Sequence, residues 1–125
     1  MMRYSLLLHY SEAAGAELSD EAMAEGMAAF DAYATSLDRA GVLVLAEVLR
    51  PTSASTTVSL RNGSLQVQDG PFADTKEQLG GVFVIDVPDL DAALAWAESC
   101  PAAQWGTVEI RPTGVYFSGG RWNES

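Results

Sequence analysis

The chain has little material for metal or disulfide chemistry. Its 125 residues include one cysteine and one histidine. A single thiol, Cys100, excludes an internal disulfide and fits a reducing compartment, so the expected location is the cytoplasm. One histidine and one cysteine are too few for a transition-metal site. A carboxylate-only site would need a ligand loop, and none is recognisable, so neither metal nor cofactor is expected. Positive charge is scarce: 7 Lys and Arg stand against 17 Asp and Glu, a formal net charge of −10. That balance repels phosphate backbones and anionic lipid, which argues against direct binding of nucleic acid or a membrane. Near the start only Leu6 to Leu8 form an apolar run, too short for a signal peptide or a membrane span.

What the chain does have is apolar content, 48%, enough for one packed domain. Residues 3–10 alternate as a strand, with Tyr4, Leu6, Leu8 and Tyr10 on one face and Ser5, Leu7 and His9 on the other. Residues 11–18 are small and polar and read as a loop. Ser19 is a natural N-cap, with Asp20 and Glu21 in the first turn of a helix that runs to about Ala40 and stops at Gly41. Its stripe is Met23, Met27, Phe30, Ala34 and Leu37, and the methionines read as core packing.

Val42 to Leu49 is almost wholly apolar, the pattern of a strand buried on both faces, and Pro51 stops it. Thr56–Leu60 and Leu65–Gln68 flank Asn62-Gly63, a strong hairpin signal because both turn positions need positive φ. Val82–Val87 is a second strand predicted to be buried on both faces. A second helix follows Pro88-Asp89 with Leu90, Ala93, Leu94 and Ala97 inward, and ends before Pro101. Thr107–Arg111 is the last strand, with Val108 and Ile110 inward. The tail beyond Pro112 carries Tyr116, Phe117 and Trp122, which suit docking rather than solvent.

The order is β-α-β, hairpin, β-α-β: an α+β, ferredoxin-like βαββαβ unit with an inserted β-hairpin. Two helices cover only one face of such a sheet. The apolar residues on the other face then need a second copy, so a homodimer is expected.

The run Asp69-Gly70-Pro71-Phe72-Ala73-Asp74-Thr75-Lys76-Glu77 is nearly DGPFAETKE, the signature of one branch of the YCII-related family. Gln78-Leu79-Gly80-Gly81, Asp89-Leu90-Asp91-Ala92-Ala93 and Val108-Glu109-Ile110-Arg111-Pro112 also resemble family segments, as do Arg3–Leu7 and Gly41–Pro51. The resemblance covers residues 1–112 and leaves 113–125 as a C-terminal tail. Asp74 stands where the family has Glu, which keeps the charge and shortens the reach by one methylene. The resemblance implies a dimeric α+β barrel, with a small organic ligand bound between helix layer and sheet in some relatives. It also implies an association with extracytoplasmic-function sigma factors for some members of the DGPF type.

Several side chains are candidates for a site. Asp69, Phe72, Asp74, Lys76 and Glu77 sit in a turn-rich segment that could present polar groups at a pocket mouth, with Arg111 as a further ligand contact. The plainer alternative is a structural turn, with Asp69 capping backbone and the other charges solvated. Glu47 interrupts an apolar strand. Buried, it would be a general acid or base; paired with Arg50 or Arg111, or wetted at a strand end, it would be structural. His9 would be a general base if Asp69 or Glu47 oriented it, and otherwise a half-wetted strand residue. Cys100, at a helix C-terminus, reads as inert. Gly80-Gly81 lacks the strand–loop–helix setting of a phosphate loop. Trp96 and Trp105 suit either core or interface. The expectations are therefore a ligand-binding module with a pocket near the DGPF segment, a cofactor-free acid–base enzyme such as an isomerase or lyase using His9, Glu47 and Asp69, or a sigma-factor accessory protein.

Overall fold

The computed structural model describes residues 1–125. Strand β1 (Met2–Tyr10) buries Tyr4, Leu6 and Leu8 on one face, as the alternation predicts. A short helix, α1 (Glu12–Ala16), follows where a loop is expected. Ser11 caps it, its hydroxyl accepting from the Ala14 amide. Nothing in α1 is buried, so its sequence shows no apolar periodicity to betray it. Helix α2 (Asp20–Arg39) starts at Ser19, whose side chain accepts from the Ala22 amide, and ends before Gly41 at φ +74°. Tyr33 and Leu37 are its buried anchors.

Strand β2 (Leu43–Val48) leads through a 3-10 turn (Thr52–Ala54) to the hairpin strands β3 (Thr56–Arg61) and β4 (Ser64–Asp69). Asn62 and Gly63 take φ of +51° and +76°, as the Asn-Gly turn requires. Strand β5 (Gln78–Val87), helix α3 (Leu90–Ser99), the single turn α4 (Ala102–Trp105) and strand β6 (Thr107–Pro112) complete the repeat. The main sheet has order β2-β5-β1-β6 and is antiparallel throughout, the ferredoxin-like arrangement, with β3–β4 as a separate two-stranded excursion. Asp89 caps α3 through the Ala92 amide. The buried residues of α3 are Ala93 and Ala97, while Leu90 and Leu94 of the expected stripe are exposed; Trp96 packs against the core in their place.

Helices α2 and α3 pack on the face carrying Tyr4, Leu6, Leu8, Phe83, Ile85 and Val87. The opposite face carries Leu7, Val82, Val84 and Leu45, aligned by the register pairs Leu7 with Val82, Ser5 with Val84, and Leu45 with Val84. Neither middle nor edge strand is buried on both faces within one chain. β2 is the sheet edge and is largely exposed, and β5 is buried only at alternate positions. The sheet is open rather than a closed barrel.

The tail forms a second hairpin, β7 (Val115–Ser118) and β8 (Arg121–Glu124), turned at Gly119-Gly120 with φ of +64° and +77°. It docks through Arg3, whose guanidinium lies 3.6 Å from the Tyr116 ring centroid and whose amide donates to Ser125 Oγ at 2.7 Å. No helix is long and apolar enough to cross a membrane.

Candidate functional site

His9 points to the open face of the sheet, where the β1–β6 register sets it opposite Thr107 and places Glu109 and Arg111 along the same face. His9 Nε2 is 3.2 Å from Glu109 Oε1, and Arg111 Nη2 donates to Glu109 Oε2 at 2.5 Å. The Arg111 hydrogen bond first, and that of His9 second, hold the Glu109 carboxyl below the usual carboxylate range. The partner of His9 is therefore Glu109, not Asp69 or Glu47. Glu47 shares the face but not the cluster. The row Glu47, Val82, Leu7, Glu109 puts three strand spacings between the two backbone positions, about 14 Å. Glu47 is exposed and pairs with neither Arg50 nor Arg111, so the wetted alternative describes it.

The DGPF segment divides in two. Its first part belongs to the hairpin. The Gly70 amide donates to the Ser55 carbonyl at 2.8 Å, Thr57 Oγ1 donates to the Gly70 carbonyl at 2.7 Å, and Gly70 takes φ +102°. Backbone and Thr57 close this turn; the Asp69 carboxylate caps nothing. Phe72 is 89% exposed and, with Pro71, borders an open, polar-lined groove on one face of the hairpin. Asp69, Asp74 and Lys76 are exposed and form no ion pair. The second part belongs to the sheet end. Glu77 Oε1 accepts from Thr107 Oγ1 at 3.0 Å, and Gln78 Nε2 donates to the Thr75 carbonyl. Of the sequence candidates, the fold brings His9 and Arg111 together through Glu109, with Glu77 beside them at Thr107. It leaves Glu47, Asp69, Phe72, Asp74 and Lys76 apart.

On the helix side of the sheet, Glu12 makes a three-way clasp. Its amide donates to Gln78 Oε1 at 2.9 Å, and its carboxylate accepts from the Thr52 amide at 2.8 Å and the Thr52 hydroxyl at 2.7 Å. The clasp pins α1 across the end of the sheet. Between α1, the first half of α2 and that sheet end lies a cleft of about 570 Å³, within the usual range for small-molecule sites. Its apolar walls include Tyr10, Leu18, Met23, Met27, Phe30 and Trp105. Phe30 meets Trp105 edge-on with ring centroids 5.4 Å apart. Met23 and Met27 are not core: they are 45% and 68% exposed because the cleft lies open above them. Tyr10 donates its hydroxyl to the Gly80 carbonyl at 3.1 Å, and burial, then the charge of Glu12, push its phenol up. Trp105 lines this cleft, while Trp96 packs on Tyr33. The sequence places Met23, Met27 and Phe30 on one helix stripe, Tyr10 on a strand and Trp105 after the second helix, with no signal that they share a cleft. Cys100 is buried and desolvation raises its thiol, in keeping with an inert residue.

The sequence model of the YCII-related domain matches residues 2–114. An uncharacterized protein of Rhizobium meliloti (strain 1021) is 36% identical over 120 residues, which cover 94% of this chain and 97% of that protein.

Proposed function

The chain belongs to the YCII-related domain family, and from that premise we propose that it binds a small organic molecule in the cleft between α1, α2 and the sheet end. The observation that carries this reading is the cleft itself: large apolar side chains gathered around an open volume, with α1 beside it tied to Thr52 and Gln78 through Glu12. Exposed aromatics and methionines in a concave site favour occupation by an apolar body. Gln78, which follows the DGPF segment and donates to the Thr75 carbonyl, accepts from the Glu12 amide, so the end of that segment is linked to α1 beside the cleft. His9, Glu109 and Arg111 face away from the helices, so a ligand in the cleft would not meet them. This separation favours binding over acid–base chemistry.

We propose further that the module works as a homodimer, joined through the open face bearing Leu7, Leu45, Val82 and Val84. A sigma-factor partner would need another surface. The hairpin face of Val58, Leu60, Leu65 and Val67, apolar on both strands and exposed, is the one that suits it.

The test is titration calorimetry with a neutral aromatic probe, 2-naphthalenemethanol, against the native chain and a Gly26→Leu variant. Gly26 lines the cleft, and a Cβ there would stand 3.6 Å from the Trp105 ring, so leucine intrudes on the cleft beside that ring. Saturable binding that the variant loses supports the reading. Equal behaviour of the two proteins refutes it.

A further inference from the structure

We infer that the cleft selects an organic cation, an amine or quaternary ammonium on an apolar body, an inference that rests on the cleft reading above. Glu25 is the one charged side chain among the lining residues. The walls include the aromatic residues Tyr10, Phe30 and Trp105 with Met23 and Met27. Aromatic faces attract a cation through their quadrupole, and aromatic cages recognise quaternary ammonium groups on that basis.

The surroundings reinforce this sign of charge. Glu12, Glu17, Asp20, Glu21 and Glu25 fall in the segment that builds two walls, and no lysine or arginine stands between Arg3 and Arg39. No lysine or arginine is among the lining residues to receive a carboxylate or phosphate. An anion entering would lose its hydration for nothing in return. A cation gains the Glu25 carboxylate, the rings and the net field of a chain at −10.

Three probes with one ring separate the contributions: 2-naphthylmethylamine, cationic at neutral pH; 2-naphthalenemethanol, neutral; and 2-naphthoate, anionic. Calorimetry on the full chain should show the amine binding about 3- to 10-fold tighter than the alcohol, the scale of one cation–π contact plus a half-exposed charge pair. The naphthoate should bind weakest. Glu25→Gln should bring the amine part of the way to the level of the alcohol, removing the charge-pair share of its advantage, and leave the alcohol unchanged. Added salt should shrink the amine's advantage in the native chain. Naphthoate binding as well as the amine, or an amine affinity untouched by Glu25→Gln, overturns the inference while the cleft reading stands. Absence of binding by all three probes overturns both.

Discussion

The hydroxyl of Tyr33 on α2 donates to the Trp96 carbonyl on α3 at 2.7 Å. The two helices are also joined by the Tyr33 and Trp96 rings, whose centroids are 6.5 Å apart. Burial, then the neighbouring Cys100, push the Tyr33 phenol far above its ordinary value. Tyr33→Phe should lose about 1 kcal/mol at neutral pH, because the hydrogen bond that ties α2 to the Trp96 carbonyl is gone and only the Ser99 hydroxyl still donates to that carbonyl. The pH dependence has a definite sign. A raised folded-state value means the stabilisation is complete below the unfolded value of about 10 and is lost as pH rises above it. The native chain should therefore weaken in alkali more steeply than Tyr33→Phe. Thermal melts from neutral to alkaline pH check this; parallel curves would contradict it.

Glu109 gives the opposite slope. Its carboxyl is held low by Arg111 and His9, so its stabilising contribution is present above the ordinary carboxylate value and fades as pH falls through the lowered one. Glu109→Gln should melt slightly below the native chain at neutral pH and converge with it in acid. A deficit that stays constant into acid would mean the pair contributes nothing through charge.

Two glycines should respond to alanine with opposite signs. Gly26 sits inside α2, where a Cβ would meet only the Trp105 ring at 3.6 Å, so Gly26→Ala should stabilise by about 1 kcal/mol through helix propensity. At Gly106 a Cβ would lie 2.0 Å from the His9 carbonyl oxygen and 3.0 Å from the Tyr10 Cα. The paired backbone of β1 cannot give way cheaply, so Gly106→Ala should cost about 2 kcal/mol or more. Denaturant melts of the pair measure the difference directly.

The open sheet face predicts an assembly. Light scattering should report twice the mass of one chain. Val84→Lys, which puts a charge at the middle of Leu7, Leu45 and Val82, should return it to single-chain mass without unfolding it. A native chain of single mass would leave that face without its proposed role.

The fold was legible wherever a residue's own chemistry fixes its place. Ser19 and Gly41 bounded α2, Asn62-Gly63 turned the hairpin, and the alternation of Tyr4, Leu6 and Leu8 chose the inward face of β1. α1 was not legible, because a helix that buries nothing has no period to read. The exposure of β2 was missed for a related reason. An apolar run records that a strand is to be covered, without recording whether its own chain or a second copy does so. The site depended on register. His9 and Glu109 are 100 positions apart and meet only because β1 and β6 pair as they do. The cleft was harder still, since Tyr10, Met27 and Trp105 come from three elements, β1, α2 and α4, that meet only in the folded chain.

That clasp has a consequence for the chain's architecture. Thr52 and Gln78 are both tied to Glu12, and just inside them the Leu49 amide donates to the Gly80 carbonyl at 2.8 Å. The whole excursion between those points leaves the sheet and returns to it through one closed gate. Its length is thereby uncoupled from the register of β2 and β5: doubling it would add only about 0.6 kcal/mol of closure entropy. The hairpin is an exchangeable part, one that can be lengthened, trimmed or traded for another segment while the sheet and cleft beneath it keep their shape.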